Sequence, residues 1–539
     1  MSNIIIGGAW PYANGSLHIG HIASLLPGDV LARYYRAKGD RVYYVSGSDC
    51  HGTPVTLRAA QEGRTPREVS DAYHAEFAEV FKKLGFSYDM YGKTSSPEHI
   101  AFVWEFHSRL YSSPYIIEKR APQAYCPACN KTLTDRLVTG QCPVCGGSAR
   151  GDQCDACGAV VEAEQLISPR CAQCGGLVEF TQSTQLYITL SKLESELQDY
   201  LNSHPQWRKN AVAFTKRYID EGLRDRAITR DLNWGIDVPR AGYAGKKIYI
   251  WAENVLGYLS ACRQAAAAHG LTLPEVWNDA RHYYVHGKDN IPFHTIILPA
   301  LLLAHGQYAH LPDDIISSEY LTLEGRRIST SGNWAIWAKD IADRFDPDAL
   351  RFFFLANGPE KRDTDFSWRE FVERNNSELV GAYGNFVNRT LAFIEKYLGG
   401  VIPDGTLEPE IGSRILVAFE AAGGCIEEGR FKDALEAVFD LVRFGNRYYD
   451  AEQPWRTRTE DLHRCGNTLF NCAQIVCNLA VLTGPFLPFS SAKVKRWLGL
   501  EDAWHPQYRP AGTRVEGSAI LFARLDPGVA GEETKKLAG

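Results

Sequence analysis

The chain has 539 residues, enough for three or four structural units at about 100 to 200 residues per domain. Hydrophobic residues make up 45% and charged residues 23%, which excludes a disordered or fibrous chain. The net charge of −6 excludes a global positive field for nucleic acid, although a local basic face would suffice for binding. No uninterrupted apolar run approaches the roughly 20 residues of a membrane span, and residues 1–8 lack the features of a signal peptide. We therefore expect a cytoplasmic protein with no membrane partner.

The first 50 residues predict the opening of a doubly wound parallel sheet. A strand at residues 3–7 precedes a turn-rich loop and a helix, whose predicted N-cap is Ser16. A second strand at residues 41–45 leads to Asp49. Strand, loop, helix and strand in this order predict a Rossmann-like α/β domain, in which ligands bind beyond the carboxyl ends of the strands.

The rest of the chain predicts an insertion, a return to α/β structure and a helical end. Residues 121–181 are rich in cysteine and glycine and indicate an inserted metal-stabilised module. The α/β pattern resumes near Lys247, and a tight loop then leads into a small helical unit. Predicted strands lie at 248–251 and 281–286, the loop at 323–337, and the helices of an all-α C-terminal bundle at 379–398, 415–449 and 462–482.

A short motif, His18-Ile19-Gly20-His21, follows the first strand. Two histidines three residues apart can donate hydrogen bonds to phosphate oxygens, and the start of a helix adds positive potential there. Glycine at position 20 leaves room for a nucleotide base. Taken alone, four such residues are more often ordinary histidines at a helix start.

The longer segment from Trp10 to His21 resembles the active-site motif of class I aminoacyl-tRNA synthetases, in the form found in the methionyl-tRNA synthetase family. The resemblance extends through most of the chain. It implies an enzyme that activates L-methionine with ATP and Mg²⁺ and transfers it to the terminal adenosine of tRNA(Met). It also implies ATP contacts at His18, Gly20, His21, Gly287, Asp289, Arg327, Ser329 and Thr330.

The same resemblance implies a methionine pocket with aromatic walls, which suit a flexible thioether. Asp49, in the segment Asp49-Cys50-His51-Gly52-Thr53-Pro54, is expected to hold the substrate ammonium, because charge-assisted hydrogen bonds are strong. The alternatives are that the aromatic residues are ordinary core and that Asp49 caps a helix. The implied pocket residues are Trp10, Tyr12, Asp49, Trp251, Asn254, Tyr258 and His294.

Two departures from the family pattern affect this site. Asn254 adds a polar group where the family usually has a small residue, which bears on inhibitor sensitivity. The mobile lysine-rich loop of the family is replaced by Arg327-Ile328-Ser329-Thr330-Ser331, so Arg327 keeps one cation and Thr330 lacks the other. His18, His21, Arg327 and Thr330 are the expected catalytic residues. Loss of one transition-state contact of this kind costs about 2.7 to 4 kcal/mol unless another cation compensates, and Arg326 and Lys339 are the candidates.

Eight cysteines form four Cys-x-x-Cys pairs, which predict two tetrahedral zinc sites of four cysteines each. Only eight residues separate Cys145 from Cys154, so we expect the inner pairs to share one ion and the outer pairs another, rather than two sites in sequence. Fully cysteine-ligated zinc is structural. The pairs are Cys126/Cys129, Cys142/Cys145, Cys154/Cys157 and Cys171/Cys174.

The size of this insertion separates the chain from related families. The leucine, isoleucine and valine enzymes of the class carry a large editing domain here, for which there is no room. The cysteine enzyme places zinc in its amino-acid pocket, where no matching ligands occur.

In the helical C-terminal region the resemblance implies three anticodon-reading residues, Asn385, Arg389 and Trp455. Tryptophan offers a stacking face for a base, and Asn and Arg can read its edge. The chain ends soon after the bundle, without the added dimerising domain of some family members, so we expect a monomer.

Two functions remain as alternatives to the one that the resemblance implies. They are a synthetase-like paralogue in resistance or biosynthesis and a non-catalytic zinc-knuckle protein that binds nucleic acid.

Five units follow from these features, each with a separate expected role. The expected units are residues 1–115 and 231–322 (the two halves of the catalytic domain), 116–230 (the insertion, with zinc knuckles at 126–174), 323–370 (ATP loop and linking unit) and 371–539 (the helical anticodon-binding domain).

Overall fold

The structure, a computed structural model, describes residues 2–133, 137–151, 154, 157, 161–330 and 332–538. Ser331 of the predicted ATP loop lies outside the described residues.

The N-terminal region alternates strands and helices, as predicted. Helix α1 begins at Ile19, and its N-cap is His18 rather than the predicted Ser16, because the His18 ring supplies the capping acceptor itself. The elements are β1 Asn3–Gly8, α1 Ile19–Ala37, β2 Arg41–Ser48, α2 Thr53–Glu62, α3 Pro66–Lys83, β3 Met90–Lys93 and α4 Pro97–Leu110.

The insertion is a long antiparallel ribbon that carries the cysteine-rich module at its far end. Its two long strands pair from Ile116 with Ile188 to Tyr125 with Glu179. The elements are β4 Ile116–Cys126, β5 Lys131–Thr132, β6 Val138–Gln141, β7 Ser148–Arg150, β8 Ile167–Cys171, β9 Glu179–Ile188, α5 Glu194–Asn202, α6 Lys209–Asp220 and β10 Arg226–Ala227.

The α/β pattern then resumes, but the predicted strand at 248–251 is wrong. Only Lys247–Ile248 is extended, and it pairs antiparallel with a two-residue strand before the chain enters two 3-10 turns. A short apolar run is compatible with a strand or with a buried turn, and here apolar residues of this segment are buried in turns. The elements are β11 Thr229–Arg230, β12 Lys247–Ile248, α7 Gly257–Ala267, α8 Leu273–Trp277, β13 Ala280–Gly287, α9 Leu298–His305 and β14 Asp314–Ser318.

The predicted loop and small helical unit follow, and then the helical domain. A π-helix at Asn375–Gly384 runs directly into α13. The elements are β15 Leu321–Leu323, β16 Arg326–Arg327, α10 Ala338–Arg344, α11 Pro347–Ala356, β17 Thr364–Phe366, α12 Trp368–Arg374, α13 Asn385–Tyr397, α14 Pro409–Glu427, α15 Phe431–Glu452, α16 Pro454–Glu460, α17 Leu462–Leu482, α18 Pro488–Leu498 and α19 Gly528–Ala538.

The central sheet has five parallel strands in the order β14-β13-β1-β2-β3. Alternate residues of a strand point to opposite faces, so Ile4 and Ile6 pack in one core and Ile5 in the other. The strand order reverses between β1 and β13, and a doubly wound sheet binds ligands in the crevice at such a point. The Rossmann-like prediction is confirmed.

Helix α17 is the one described helix that is long and apolar enough to cross a membrane. However, 89% of its most apolar window is buried among the other helices. Its composition is therefore that of a core helix in the helical domain.

Candidate functional site

A cavity of about 510 Å³ opens at the carboxyl ends of β1 and β13, where the strand order reverses. Asp49, Ser329 and Thr330 do not line it. Residues of both predicted ligand sets do, and the cavity brings together Trp10, Tyr12, His18, Gly20, His21, Trp251, Asn254, Tyr258, Gly287, Asp289, His294 and Arg327.

His18 and His21 form a reciprocal cap at the start of α1. The Gly20 amide donates to Nδ1 of His18 (3.1 Å), and the His18 amide donates to Nδ1 of His21 (3.1 Å). Burial lowers the pKa of His18 to about 2 and that of His21 to about 4. A neutral ring that accepts at Nδ1 carries its proton on Nε2. Both histidines are therefore neutral donors beside the cavity at physiological pH.

Gly20 makes this arrangement possible. A Cβ at position 20 would lie 2.9 Å from Cε1 of His18, too close for the ring to fold back over the helix start. The glycine is thus required by the cap itself, in addition to any space that a nucleotide would need.

Trp10 lies at the floor of the apolar part of the cavity, held between glycines. A Cβ at Gly257 would lie 2.7 Å from Cζ2 of Trp10, and one at Gly47 would lie 2.4 Å from Cζ3. The neighbouring wall is Trp251, which stacks on Phe293 with ring centres 3.9 Å apart. The predicted aromatic residues thus face a cavity rather than filling a closed core.

His294 and Tyr258 form a hydrogen-bonded pair on the same wall. Nδ1 of His294 donates to the carbonyl of Asn290 (2.8 Å), so its Nε2 accepts from the hydroxyl of Tyr258 (2.8 Å). Burial lowers the pKa of His294 to about 4. This wall is therefore neutral and presents a phenol oxygen to a ligand.

Asp49 is fully buried behind this cavity and reaches it through Asn254. The Asn254 amide donates to Oδ2 of Asp49 (2.8 Å), and the Asp49 backbone pairs with the loop at Pro11 and Ala13. Burial and the nearby charge of Glu253 raise the pKa of Asp49 well above its usual range, and the Asn254 hydrogen bond opposes this. The polar substitution at position 254 is thus bonded to the predicted ammonium ligand.

Glu253 is a buried residue whose role the sequence reasoning missed. Its carboxylate lies between Nδ1 of His51 (2.8 Å) and Nε2 of His99 (3.1 Å). Burial raises the pKa of Glu253, but the two histidines more than offset this and hold it at about 2. The sequence feature that could have identified Glu253 is its position, since it is the acidic residue directly before Asn254.

The predicted ATP loop places one of its two arginines at the cavity. Arg327 lines the cavity, whereas Arg326 lies over the ring of Trp334 at 4.8 Å. Thr330 is exposed to solvent. The segment after the loop pairs with the start of the motif, since the amide of Ile19 donates to Ile336 (3.0 Å). The loop is thereby anchored beside α1.

Lys339, the other candidate to compensate for Thr330, does not line the cavity. Its charge acts on Glu79 of α3, where it adds to the larger effect of Lys83 in lowering the pKa of Glu79. A second cation near the cavity, missed from the sequence, is Lys288. Its ammonium lies 3.8 Å from the ring centre of Tyr320 and 2.6 Å from Glu319.

The eight cysteines form two clusters with the nested pairing that was predicted. In a tetrahedral zinc site, with Zn–S of about 2.3 Å, the sulfurs lie about 3.8 Å apart. The Sγ distances fit this value, from 3.5 Å (Cys126–Cys174) to 3.9 Å (Cys129–Cys171). The clusters are Cys126, Cys129, Cys171 and Cys174, and Cys142, Cys145, Cys154 and Cys157.

Two of the three predicted anticodon residues, Arg389 and Trp455, lie beside the ring of Tyr449 in the helical domain. The guanidinium of Arg389 lies 4.1 Å from the ring centre of Tyr449, and the ring of Trp455 lies 5.9 Å from it. Arg389 also binds Asp450 (2.7 Å), so its orientation is fixed. Asn385 is exposed at the start of α13, and 48% of Trp455 is exposed.

Comparison with known proteins gives one consistent result. A sequence model described as class I tRNA synthetases (M) matches residues 4–391, and one described as the anticodon-binding domain of methionyl tRNA ligase matches residues 403–532. The methionine–tRNA ligase 1 of Alkaliphilus oremlandii is 50% identical over 99% of both chains. The methionine–tRNA ligase of Bacillus mycoides is 50% identical over 100% of this chain and 99% of its own.

A solved structure shows the same fold. The methionyl-tRNA synthetase of Mycobacterium tuberculosis, bound by methionyl-adenylate, aligns with a TM-score of 0.80 over 97% of this chain and 100% of its own. At 22% identity this likeness concerns the fold alone.

Proposed function

Because the chain belongs to the methionyl-tRNA synthetase family of class I tRNA synthetases, we propose that the cavity between β1 and β13 is where it joins methionine to ATP. The chain is a methionine–tRNA ligase. Its reaction forms methionyl-adenylate with release of pyrophosphate and then esterifies the terminal adenosine of tRNA(Met).

One observation supports the proposed site most: a single cavity joins an end lined by His18, His21 and Arg327 to an aromatic end. At the first end, His18 and His21 are neutral N–H donors and Arg327 supplies a fixed positive charge. Such groups stabilise charge that develops on the leaving pyrophosphate. At the other end, Trp10, Tyr258 and His294 line the space that we assign to the methionine side chain.

The remaining assignments follow the same division. We propose that Asp49 binds the substrate ammonium and that Asn254 orients it, with Tyr12 and Trp251 completing the pocket. Gly20, Gly287, Asp289, Ser329 and Thr330 are assigned to ATP, and the carboxylate of Asp289 is an oxygen ligand of the type that Mg²⁺ prefers.

The two cysteine clusters have the donors and spacing of structural zinc sites, and we propose that each holds one Zn²⁺. Four thiolates leave no open position for water, so these sites order the end of the ribbon and carry no chemistry.

The helical domain is proposed to bind the anticodon of tRNA(Met) through Asn385, Arg389 and Trp455. The five-unit division of the chain, a monomeric state and a cytoplasmic location remain proposals as well. Sedimentation of the purified enzyme tests the oligomeric state.

The decisive experiment is ATP–pyrophosphate exchange with each of the twenty amino acids, followed by charging of tRNA. We expect exchange with methionine alone and charging of tRNA with the CAU anticodon. Exchange without charging would contradict the proposed role of the helical domain. Absence of exchange with every amino acid would contradict the proposed site.

A further inference from the structure

The predicted anticodon residues belong to a longer stripe on α13. Asn385, Arg389, Phe393 and Tyr397 recur at every fourth position and so share one face of the helix. Phe393 is buried and packs against Tyr397, with ring centres 4.7 Å apart. Tyr397 is 41% exposed and lies about 12 Å along the axis from Arg389, at about 1.5 Å per residue. The stripe therefore ends in an aromatic ring that is open to solvent.

Two cations flank this ring. The guanidinium of Arg458 lies 4.1 Å from its centre, and the ammonium of Lys396 lies 5.0 Å from it. Arg458 is three residues from Trp455 in α16, so both point toward the same side of that helix. The ring of Tyr397 thus continues the surface that carries Trp455 and Arg389.

Within the described part of the chain, these two cations differ from their neighbours in lacking a counter-ion. Among the described residues, no carboxylate lies within 4.0 Å of the charged nitrogens of Lys396 or Arg458. By contrast, Arg389, Arg456 and Arg464 are paired with Asp450, Glu460 and Glu452. Positive charge beside an exposed ring is therefore available to a ligand.

We propose that Tyr397, Arg458 and Lys396 form a second nucleotide-binding platform, which stacks one unpaired base of the tRNA anticodon loop outside the anticodon triplet. Exposed rings and guanidinium planes stack bases of any sequence, and lysine binds the adjoining phosphate. Continuity with the Trp455 face makes the anticodon loop the occupant. The inference rests on the proposed tRNA-binding function of the helical domain and extends it to three further residues.

The test compares Tyr397→Ala with Tyr397→Phe, which keeps the ring, and with Tyr508→Ala, which removes an exposed tyrosine elsewhere in the C-terminal region. The rate of tRNA charging is divided by the rate of pyrophosphate exchange in the same preparation. This ratio corrects for any loss of folded enzyme. We expect Tyr397→Ala to raise KM for tRNA about tenfold, since stacking of one base accounts for roughly 5- to 150-fold. Tyr397→Phe and Tyr508→Ala should stay within about twofold of the parent enzyme.

A set of synthetic tRNAs then locates the stacked base. Each tRNA carries one abasic nucleotide at a different unpaired loop position outside the triplet. One position should raise KM with the parent enzyme and have no further effect with Tyr397→Ala. Lys396→Gln removes the proposed phosphate contact, so the plot of log affinity against log salt should become less steep by about one. Equal KM for Tyr397→Ala and Tyr508→Ala, or abasic effects that are the same in both enzymes, would overturn the platform. Trp455→Ala distinguishes failure of the platform from failure of the proposed anticodon site. If Trp455→Ala also leaves KM for tRNA unchanged, the proposed anticodon site itself is wrong.

Discussion

At the scale of single residues, Asn254 is a polar substitution with a specific partner. It donates to Asp49, a buried carboxylate whose pKa burial and Glu253 raise. Only the ionised form of Asp49 can bind an ammonium group. The amide therefore keeps Asp49, the proposed ammonium ligand, ionised at lower pH than burial alone would allow.

Asn254→Ala should raise KM for methionine most strongly on the acid side. Without the amide the pKa of Asp49 rises further, so the protonated and inactive form appears at higher pH. A hydrogen bond to a charged group contributes about 1.5 to 3 kcal/mol, so we expect an increase of about tenfold or more at the acid end. Pyrophosphate exchange between about pH 6 and 8 measures it. Asn290→Ala, another amide that lines the cavity, is the control, and identical pH profiles for the two variants would refute the role of Asn254.

The adjacent arginines of the ATP loop provide a second comparison between single residues. Arg327 lines the cavity, and Arg326 lies on Trp334. Arg327→Gln should lower kcat of pyrophosphate exchange by about 10²- to 10³-fold, because it removes the one loop cation that can reach the phosphates. Arg326→Gln should change it less than about threefold. Equal losses in the two variants would mean that the loop acts only through its overall charge.

At the scale of elements, the nested pairing of the cysteines in the insertion can be tested by measuring the zinc content of variants. Cys126, Cys129, Cys171 and Cys174 form one cluster, and the four inner cysteines form the other. We expect two zinc ions per chain by atomic emission. Cys142→Ser with Cys157→Ser affects one cluster and should leave one ion. Cys129→Ser with Cys142→Ser affects both clusters and should leave none, whereas pairing in sequence along the chain would leave one.

The elements also show what the sequence can and cannot predict. The start of the sheet was predictable, because the order of strand, loop, helix and strand is a local pattern. The nested cysteine pairing was predictable because the short separation of the two inner pairs joins them and leaves the outer pairs to each other. The cap at His18 was missed, since Ser16 is a common capping type and only the local backbone brings the His18 ring to Gly20. The bond from Asn254 to Asp49 joins residues 205 positions apart, and no local pattern encodes it.

At the scale of the whole molecule, α1 connects the proposed active site to the helical domain. The N-terminal end of α1 carries His18 and His21, and its middle carries the buried Asp29. Arg351, on α11, donates to Asp29 (2.7 Å) and also to the carbonyls of Phe486 (2.9 Å) and Pro485 (3.1 Å) in the helical domain. One guanidinium thus joins α1 to the loop after α17.

The charge on Asp29 depends on this contact. Burial raises the pKa of Asp29, but Arg351, Arg33 and Ser87 more than offset it and hold the pKa at about 2. A carboxyl whose folded pKa is below its ordinary value of 3.8 stabilises the fold above that pH. This stabilisation is lost as the pH falls toward 2.

Arg351→Met should therefore destabilise the junction between the two domains. It leaves a buried carboxylate without its main partner, and breaking such a pair costs about 3 to 5 kcal/mol. We expect the parent enzyme to unfold in one transition. In the variant the free energy of unfolding at neutral pH should fall by that amount, and unfolding should divide into two transitions, one for each domain. Arg33→Met is the matched control, because Arg33 contacts the same carboxylate but is partly exposed, and it should cost less and leave one transition. Calorimetry and tryptophan fluorescence measure the number of transitions and the stability of each variant. A single transition in Arg351→Met at unchanged stability would contradict this prediction. Other contacts, such as the hydrogen bond from Tyr34 to Glu427 (2.6 Å), would then be sufficient to join the domains.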